Sequence, residues 1–259
     1  MVAKNYNMPS ESSTTRLRLL IAYDGRPFRG WQSQAGGDSV QDRVEQAFVR
    51  VGGQRIVVHG SGRTDAGVHA LGQVAHADVP RDFLLPAKWH AALNANLPPE
   101  IRVLRCTRAA ADFHARFLAR GKTYLYRIHI GPIFPPLEIG RAWHVPGPLD
   151  PAILRACATH LTGTHDFAGF AANRGHPPAS TVRTIREIHL TRRGPLLTLR
   201  FTGDGFLYKM VRLLTGTLVR CAQSRMEPAF LDTLLAGHGH PKTHFQAPAE
   251  GLYLARVLY

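Results

Sequence analysis

Residues 122–130 read KTYLYRIHI, and their strict alternation puts Tyr124, Tyr126, Ile128 and Ile130 on one side of an extended chain. Period-two patterning of this kind marks a half-buried β-strand. Working outward toward the N-terminus, Ile101 to Thr107 is a second strand, preceded by a helix over Pro86 to Leu97 that Pro98-Pro99 stops. Ile56 to His59 and Gly72 to Val79 read as strands around a glycine-rich segment. Ser39 opens another helix as its N-cap, with Asp42 three residues on where a capping box would have Glu or Gln. That helix carries an apolar stripe of Val40, Val44, Ala47, Phe48 and Val51 and stops at Gly52-Gly53. Leu17 to Tyr23 is an apolar strand running into an Asp24-Gly25 turn.

Toward the C-terminus, Pro132 to Pro148 is proline-rich and aperiodic, the composition of a linker. Beyond it come a helix from Asp150 to Leu161, capped by Asp150 with Pro151 in its first turn, and strands over Thr184 to Thr191 and Leu196 to Thr202. Helices over Phe206 to Gln223 and Glu227 to Leu235 and a strand over Leu252 to Tyr259 complete the order. This interleaving predicts an α+β protein of two ferredoxin-like (RRM-like) halves, residues 16–131 and 149–259, joined through the 132–148 linker. Each half is an antiparallel sheet backed by helices, and the two meet around a central basic cleft. Residues 1–15, polar and rich in Ser and Thr, read as a disordered tail.

With 259 residues, 44% hydrophobic and 19% charged, the chain is long enough to bury a core without disulfide or metal staples. Cys106, Cys157 and Cys221 lie far apart with no CxxC pair, which argues for a reducing, cytoplasmic setting. Nowhere does an apolar run reach the roughly 18 residues of a membrane span. The net charge of +14 points to a polyanionic partner. Of the 32 cations 27 are Arg, whose planar fork suits phosphate. An Arg- and Gly-rich composition also follows from a guanine–cytosine-rich genome, so charge alone does not decide. The loop from Asp24 to Gly37 interleaves Arg26, Phe28, Arg29, Trp31 and Gln32. Two readings fit it: RNA contact by phosphate pairing and stacking, or aromatics that pack inward.

Chemistry concentrates in residues 60–70, GSGRTDAGVHA. Glycines let a backbone approach a bulky ligand, and a loop between two strands can present its single acid, Asp65, as a nucleophile. An ordinary Asx turn is the bland alternative. On the helix at 206–223, Leu207, Met210, Val211, Leu214 and Leu218 form the apolar stripe. Arg212 lies off it on the line Tyr208, Arg212, Gly216, placed either to meet an acid or to face water. A guanidinium within about 4 to 6 Å favours the charged form of a carboxylate, the form a nucleophile needs.

Over Leu17 to Tyr259 the chain resembles the tRNA pseudouridine synthase A (TruA) family. The resemblance is carried by YDGRPFRGWQ (23–32), SVQ (39–41), GRTDAGVHA (62–70), NANLP (94–98), DFHARF (112–117), KTYLYRI (122–128), TVRTI (181–185), GF and MVR (205–206, 210–212) and AEGLYL (249–254). It implies cofactor-independent isomerisation of uridine to pseudouridine at positions 38 to 40 in the anticodon arm of tRNA, by a homodimer with tRNA spanning both subunits. It further implies Asp65 as nucleophile, Arg212 as its ion-pair partner, Arg63 intruding where the base leaves the stack, and Tyr124 stacking on the extruded uracil. Tyr126 shares the face of Tyr124, so an alternating strand's need for core aromatics competes for both. Attack on the pyrimidine ring, attack on the sugar, and action as a base on a glycal all suit such an acid. Arg29, Trp31 and Lys209 are further candidates for RNA contact, although Lys209 stands where the family more often has Asn or His. The Asn173–Ser180 loop has no assigned role.

Three other readings compete. A sheet that binds RNA without catalysis needs no acid in a glycine loop. A metal site at His238, His240 and His244 lacks an acidic partner, so no metal is expected. Cys157 and Cys221 sit in helical patterns and read as small core residues.

Overall fold

The computed structural model describes residues 14–259 apart from 82, 173, 174, 176–178, 238 and 240, so residues 1–13 of the expected tail lie outside the described residues. Thr14 and Thr15, read as tail, already belong to the first strand. The order is β1 (Thr14–Tyr23), α1 (Val40–Gly52), β2 (His59–Gly60), β3 (His69–Pro80), α2 (Pro86–Asn96), β4 (Ile101–Arg108) and β5 (Gly121–His129). After these come β6 (Trp143–His144), α3 (Pro151–His160), β7 (Gly163–Asp166), β8 (Val182–Arg193), β9 (Leu196–Gly203), α4 (Met210–Ala222), α5 (Phe230–Leu235) and β10 (Leu252–Leu258).

The fold is α+β, but the expectation of two separate antiparallel sheets is corrected. The described strands form one sheet in the order β4-β1-β3-β10-β5-β9-β8-β7, with β2 on β3 and β6 on β5. The first half runs β-α-β-β-α-β with strand order β4-β1-β3-β2; the second follows the same order through β5, α3, β8, β9, α4 and β10, with β6, β7 and α5 added, and its strand order is β10-β5-β9-β8-β7. β2 covers β3 only at Ala75 and His76, which leaves the edge at His69 and Ala70 open for β10. An unpaired edge must find partners for its N–H and C=O groups, and β10 supplies them. It pairs parallel with β3 and antiparallel with β5, setting Leu254 opposite both Ala70 and Tyr124.

Local chemistry sets where α1 and α3 begin. The Ser39 side chain accepts from the Asp42 N–H and the Asp42 carboxylate accepts from the Ser39 N–H, so the shorter Asp closes the capping box of α1. α1 presses Phe48 onto Trp89 of α2 at 5.3 Å between ring centroids. Asp150 caps α3 by accepting from Ala152 and Ile153. The stretch Ile56–Val58 is not strand, although Ile56 and Val58 are buried. The 132–148 stretch is docked rather than free: β6 pairs with β5, the Val145 N–H donates to the His129 carbonyl, and Ala142 and Val145 are buried.

α4 departs most from its sequence pattern. It begins at Met210 rather than Phe206, because Lys209 adopts a left-handed conformation (φ 61°) that a continuing helix does not allow. It is also buried around almost its whole circumference, Arg212 included. The cover over Arg212 is the 245–247 strap: the Ala247 N–H donates to the Arg212 carbonyl at 3.0 Å. One turn on, the missing side chain of Gly216 makes room for the strap, since a Cβ there would collide with the Phe245 carbonyl oxygen. α5 is likewise shorter than expected, starting at Phe230. Among the described residues no helix is long and apolar enough to cross a membrane.

Gly216→Ala is expected to lower stability by about 1–3 kcal/mol by forcing the strap away from α4, read as a lower urea midpoint. An unchanged midpoint would show that the strap yields freely.

Candidate active site

The loop from Ser61 to Val68 leaves β2 and enters β3 where β10 joins, so it is held at the seam between the halves. Three anchors fix its backbone. The Ser61 N–H donates to the Val74 carbonyl, the Ser61 hydroxyl donates to Gln73, and Gln73 Nε2 donates to the Gly62 carbonyl at 2.9 Å. Tyr23 shares a hydrogen bond with the Thr64 hydroxyl at 2.8 Å, and the Trp31 N–H donates to the Thr64 carbonyl at 3.1 Å. Gly30 adopts φ +85° against this loop, and a Cβ there would strike the Thr64 carbonyl oxygen. The 24–37 loop thus clamps the acid-bearing loop, which accounts for the company of YDGRPFRGWQ and GRTDAGVHA.

Asp65 emerges into a cleft of about 470 Å³. Arg212 Nη1 donates to its Oδ2 at 3.2 Å, with the Asp65 and Arg212 side chains only 18% and 11% exposed. Arg212 Nε donates to the Ala247 carbonyl at 2.8 Å, so the guanidinium is fixed at both ends. A charge-assisted bond between partly buried groups is stronger than its surface counterpart. The solvated-face reading of Arg212 therefore fails, as does the simple Asx-turn reading of Asp65.

Tyr124 lines the cleft on β5 and meets Phe206 edge-on at 5.2 Å and 84°. Burial raises its phenol well above the ordinary tyrosine range, with the nearby Asp65 charge adding to the shift. Both rings belong to the buried core, Tyr124 at 8% exposure and Tyr126 at 0%; Tyr126 packs on Gly251, and its hydroxyl donates to the Pro248 carbonyl at 2.7 Å. Arg63 is exposed on the cleft wall, its Nε donating to Gln32 at 3.2 Å. Gln32 in turn donates to Gln41, and Gln41 to Glu45. The buried Gln41 of the SVQ block is thereby a brace for Arg63.

The remaining candidates separate. Lys209 lines the cleft, its ammonium 5.4 Å from the Tyr208 ring centroid. Trp31 is 2% exposed, wedged beside Tyr23 and against Gly60, so it builds the wall and offers no free ring face. Phe28 is buried too, which settles the inward-packing reading for both aromatics. Arg29 is exposed but outside the cleft lining. Cys157 and Cys221 are buried between α3 and α4, and burial pushes the Cys221 thiol up to about 12, far from a reactive thiolate. His238 and His240 lie outside the described residues, His244 is exposed, and among the described residues no His, Cys, Asp or Glu group is arranged to hold a metal.

Sequence reading missed the cleft residues His59, His114, Arg116, Phe117, Lys122 and Phe206. A usable signal was present in DFHARF, where cation and aromatics alternate as in the 24–37 loop. His59 stacks on His76 at 4.9 Å, and His76 meets His114 edge-on at 4.6 Å. His76 Nδ1 accepts the Ala115 N–H at 3.2 Å, tying the rim segment to β3.

A sequence profile of the tRNA pseudouridine synthase family matches residues 19–117 and 157–259. The chain belongs to the tRNA pseudouridine synthase family. The tRNA pseudouridine synthase A of Akkermansia muciniphila is 48% identical over 252 residues, 95% of each chain. That of Geobacillus kaustophilus is 42% identical over 251 residues, again 95% of each. Family membership makes the chain an isomerase, and the profile takes in both Asp65 and Arg212. A solved Cbf5-Nop10-Gar1 complex is 11% identical with TM-score 0.39, over 92% of this chain and 48% of that one, too remote to bear on the site.

Acid should destabilise the rim side of the cleft. Burial, then the neighbouring His114 and His59, lowers His76 to about 4 from the ordinary value near 6.5. From pH 6.5 down to about 4 the unfolded chain takes up the proton that the folded chain refuses, so stability falls across that window. The urea midpoint is expected to drop there in the wild type and to drop less in His76→Asn, which keeps an acceptor for the Ala115 N–H. Equal slopes would remove His76 from the cause.

Proposed function

We propose that the chain isomerises uridine to pseudouridine at positions 38 to 40 of the tRNA anticodon arm, without a cofactor and with Asp65 as the nucleophile. The observation that carries this reading is Asp65 itself: a carboxylate half-sheltered at the head of a cleft and held by Arg212 at 3.2 Å. Apart from it the described lining carries cations, among them Arg63, Lys209 and Arg212. A ribose-phosphate chain would meet complementary charge there, and one acid in the middle of it.

The reaction breaks the N1–C1′ bond of uridine and forms a C5–C1′ bond; the hydrogen on C5 leaves as a proton and the freed N1 takes one up, so the product is an isomer. The base must first leave the stack, which costs a few kcal/mol. Arg63, exposed on the wall and braced by Gln32, is placed to fill the vacated position. The Tyr124 ring stacks on the uracil, contributing about 1–3 kcal/mol toward extrusion. Arg212 holds Asp65 aimed while the base turns over. Phe206, edge-on to Tyr124, keeps that ring from rotating away.

We read the two halves as ferredoxin-like units meeting around this basic cleft, supported by their matching element and strand orders. A homodimer needs one apolar face shared by both copies. The 132–148 connection carries the exposed Ile133, Leu137 and Ile139, side chains of the apolar kind such a face requires.

The test is tritium release from tRNA labelled at C5 of uridine, with wild type beside Asp65→Asn. Asparagine keeps an oxygen for Arg212, so circular dichroism and the urea midpoint should match wild type while release falls by about 10³-fold or more. A folded variant releasing tritium at the wild-type rate would end the nucleophile assignment.

A further inference from the structure

Lys122 opens the alternating strand two residues before Tyr124 and lines the same cleft. Its ammonium lies against the loop that carries the acid: a methyl group on Gly62 would stand 2.5 Å from Nζ. Among the described residues it makes no hydrogen bond or ion pair. Asp65 is the only acid in the described lining, and Arg212 already holds it. The charge that acts on Lys122 is of like sign, from Arg116 on the rim, and burial together with that charge brings Lys122 down to about 8. Two cations on one wall with no acid between them gain nothing for folding, because desolvating a charge without a partner is unfavourable. An anion from outside would satisfy both.

The rim indicates which anion. Next to Arg116, Phe117 is 74% exposed at the cleft mouth. His114 stacks on one face of its ring at 4.1 Å and 28°, and the Arg116 guanidinium lies 5.8 Å from its centroid. An aromatic ring this exposed, beside two cations with no acidic partner, has the elements of a nucleotide site: stacking for a base, charge for a phosphate.

We propose that Arg116, Phe117 and Lys122 form a subsite for the nucleotide adjoining the extruded uridine, the two cations holding the phosphodiester between them and Phe117 stacking the neighbouring base. The subsite rests on the isomerase reading above and deepens it. Lys122 and Tyr124 project from the same face of one strand, so the phosphate seat and the uracil platform are set by a single strand register.

The experiment uses an anticodon-arm RNA labelled at C5 of the target uridine, made with an ordinary linkage or with one uncharged methylphosphonate beside that uridine. Wild type, Lys122→Met, Lys122→Arg and Phe117→Ala are compared by filter binding and tritium release. The neutral linkage is expected to weaken wild-type binding about tenfold and Lys122→Met no further. Lys122→Met should bind the ordinary RNA about tenfold more weakly, with a slope of log Kd against log salt shallower by about one. Lys122→Arg should recover most of both. The melting temperature of Lys122→Met should not fall, whereas a structural lysine would lower it. Phe117→Ala should raise KM more than it lowers kcat. An equal penalty from the neutral linkage in wild type and Lys122→Met, or an unchanged salt slope, overturns the subsite alone. Absence of tritium release by wild type from the ordinary RNA overturns the isomerase reading and the subsite with it.

Discussion

The bond between Asp65 and Arg212 joins two parts of the chain that share no element. Asp65 hangs from the loop between β2 and β3, and Arg212 rises from α4 on the other side of the sheet's seam. Both are too sheltered for either to lose its partner cheaply, since a lone charge in a poorly solvated position is strongly unfavourable. The pair therefore demands that the halves meet in one register. β10 provides that register by pairing with β3 and β5 at once, and the strap at 245–247 provides it again by gripping Arg212 from behind. Gly30 and Gly216 are two of the places where a side chain would disturb this arrangement.

Much of the rest follows from making a cleft that is sheltered where the acid is held and charged where a polyanion would lie. Tyr23, Trp31 and Phe28 are buried behind the acid-bearing loop, and the Asp65 side chain is left only partly exposed. The left-handed turn at Lys209 interrupts what would otherwise be a longer helix. That interruption frees Phe206 to meet Tyr124 and sets a cation at the head of α4. A small departure from regular structure thus supplies two groups to the cleft.

Patterns that depend on near neighbours are legible in the sequence. The alternation of 122–130, the cap at Ser39 and the cap at Asp150 act within a few residues, and each appears where its chemistry requires. Family resemblance carried the identity of Asp65 and Arg212, and geometry supplied their contact. What could not be read depends on distant partners. Nothing local says that β10 will slip between the halves, so two sheets were expected where there is one. Arg212 lies off an apolar stripe and seemed as fit for water as for an acid, because the strap covering it comes from residues 245–247. Lys122 was invisible for the same reason: an alternating strand specifies its face but not the company it keeps there. Trp31 shows the converse, a ring whose composition suited RNA and whose burial makes it masonry.

The position of β10 in chain order has a consequence for biogenesis. Translation delivers β1 to β4 first, and domains tend to organise as they emerge, at about 5–20 residues per second. In that interval the exposed end of β3 is a raw edge, open to pairing with any passing strand. The acid-bearing loop then hangs beside it without its guanidinium. The Asp65–Arg212 contact forms only once α4 has been made, and the end of β3 stays open to mispairing until β10 arrives, which makes the speed of that insertion a determinant of yield.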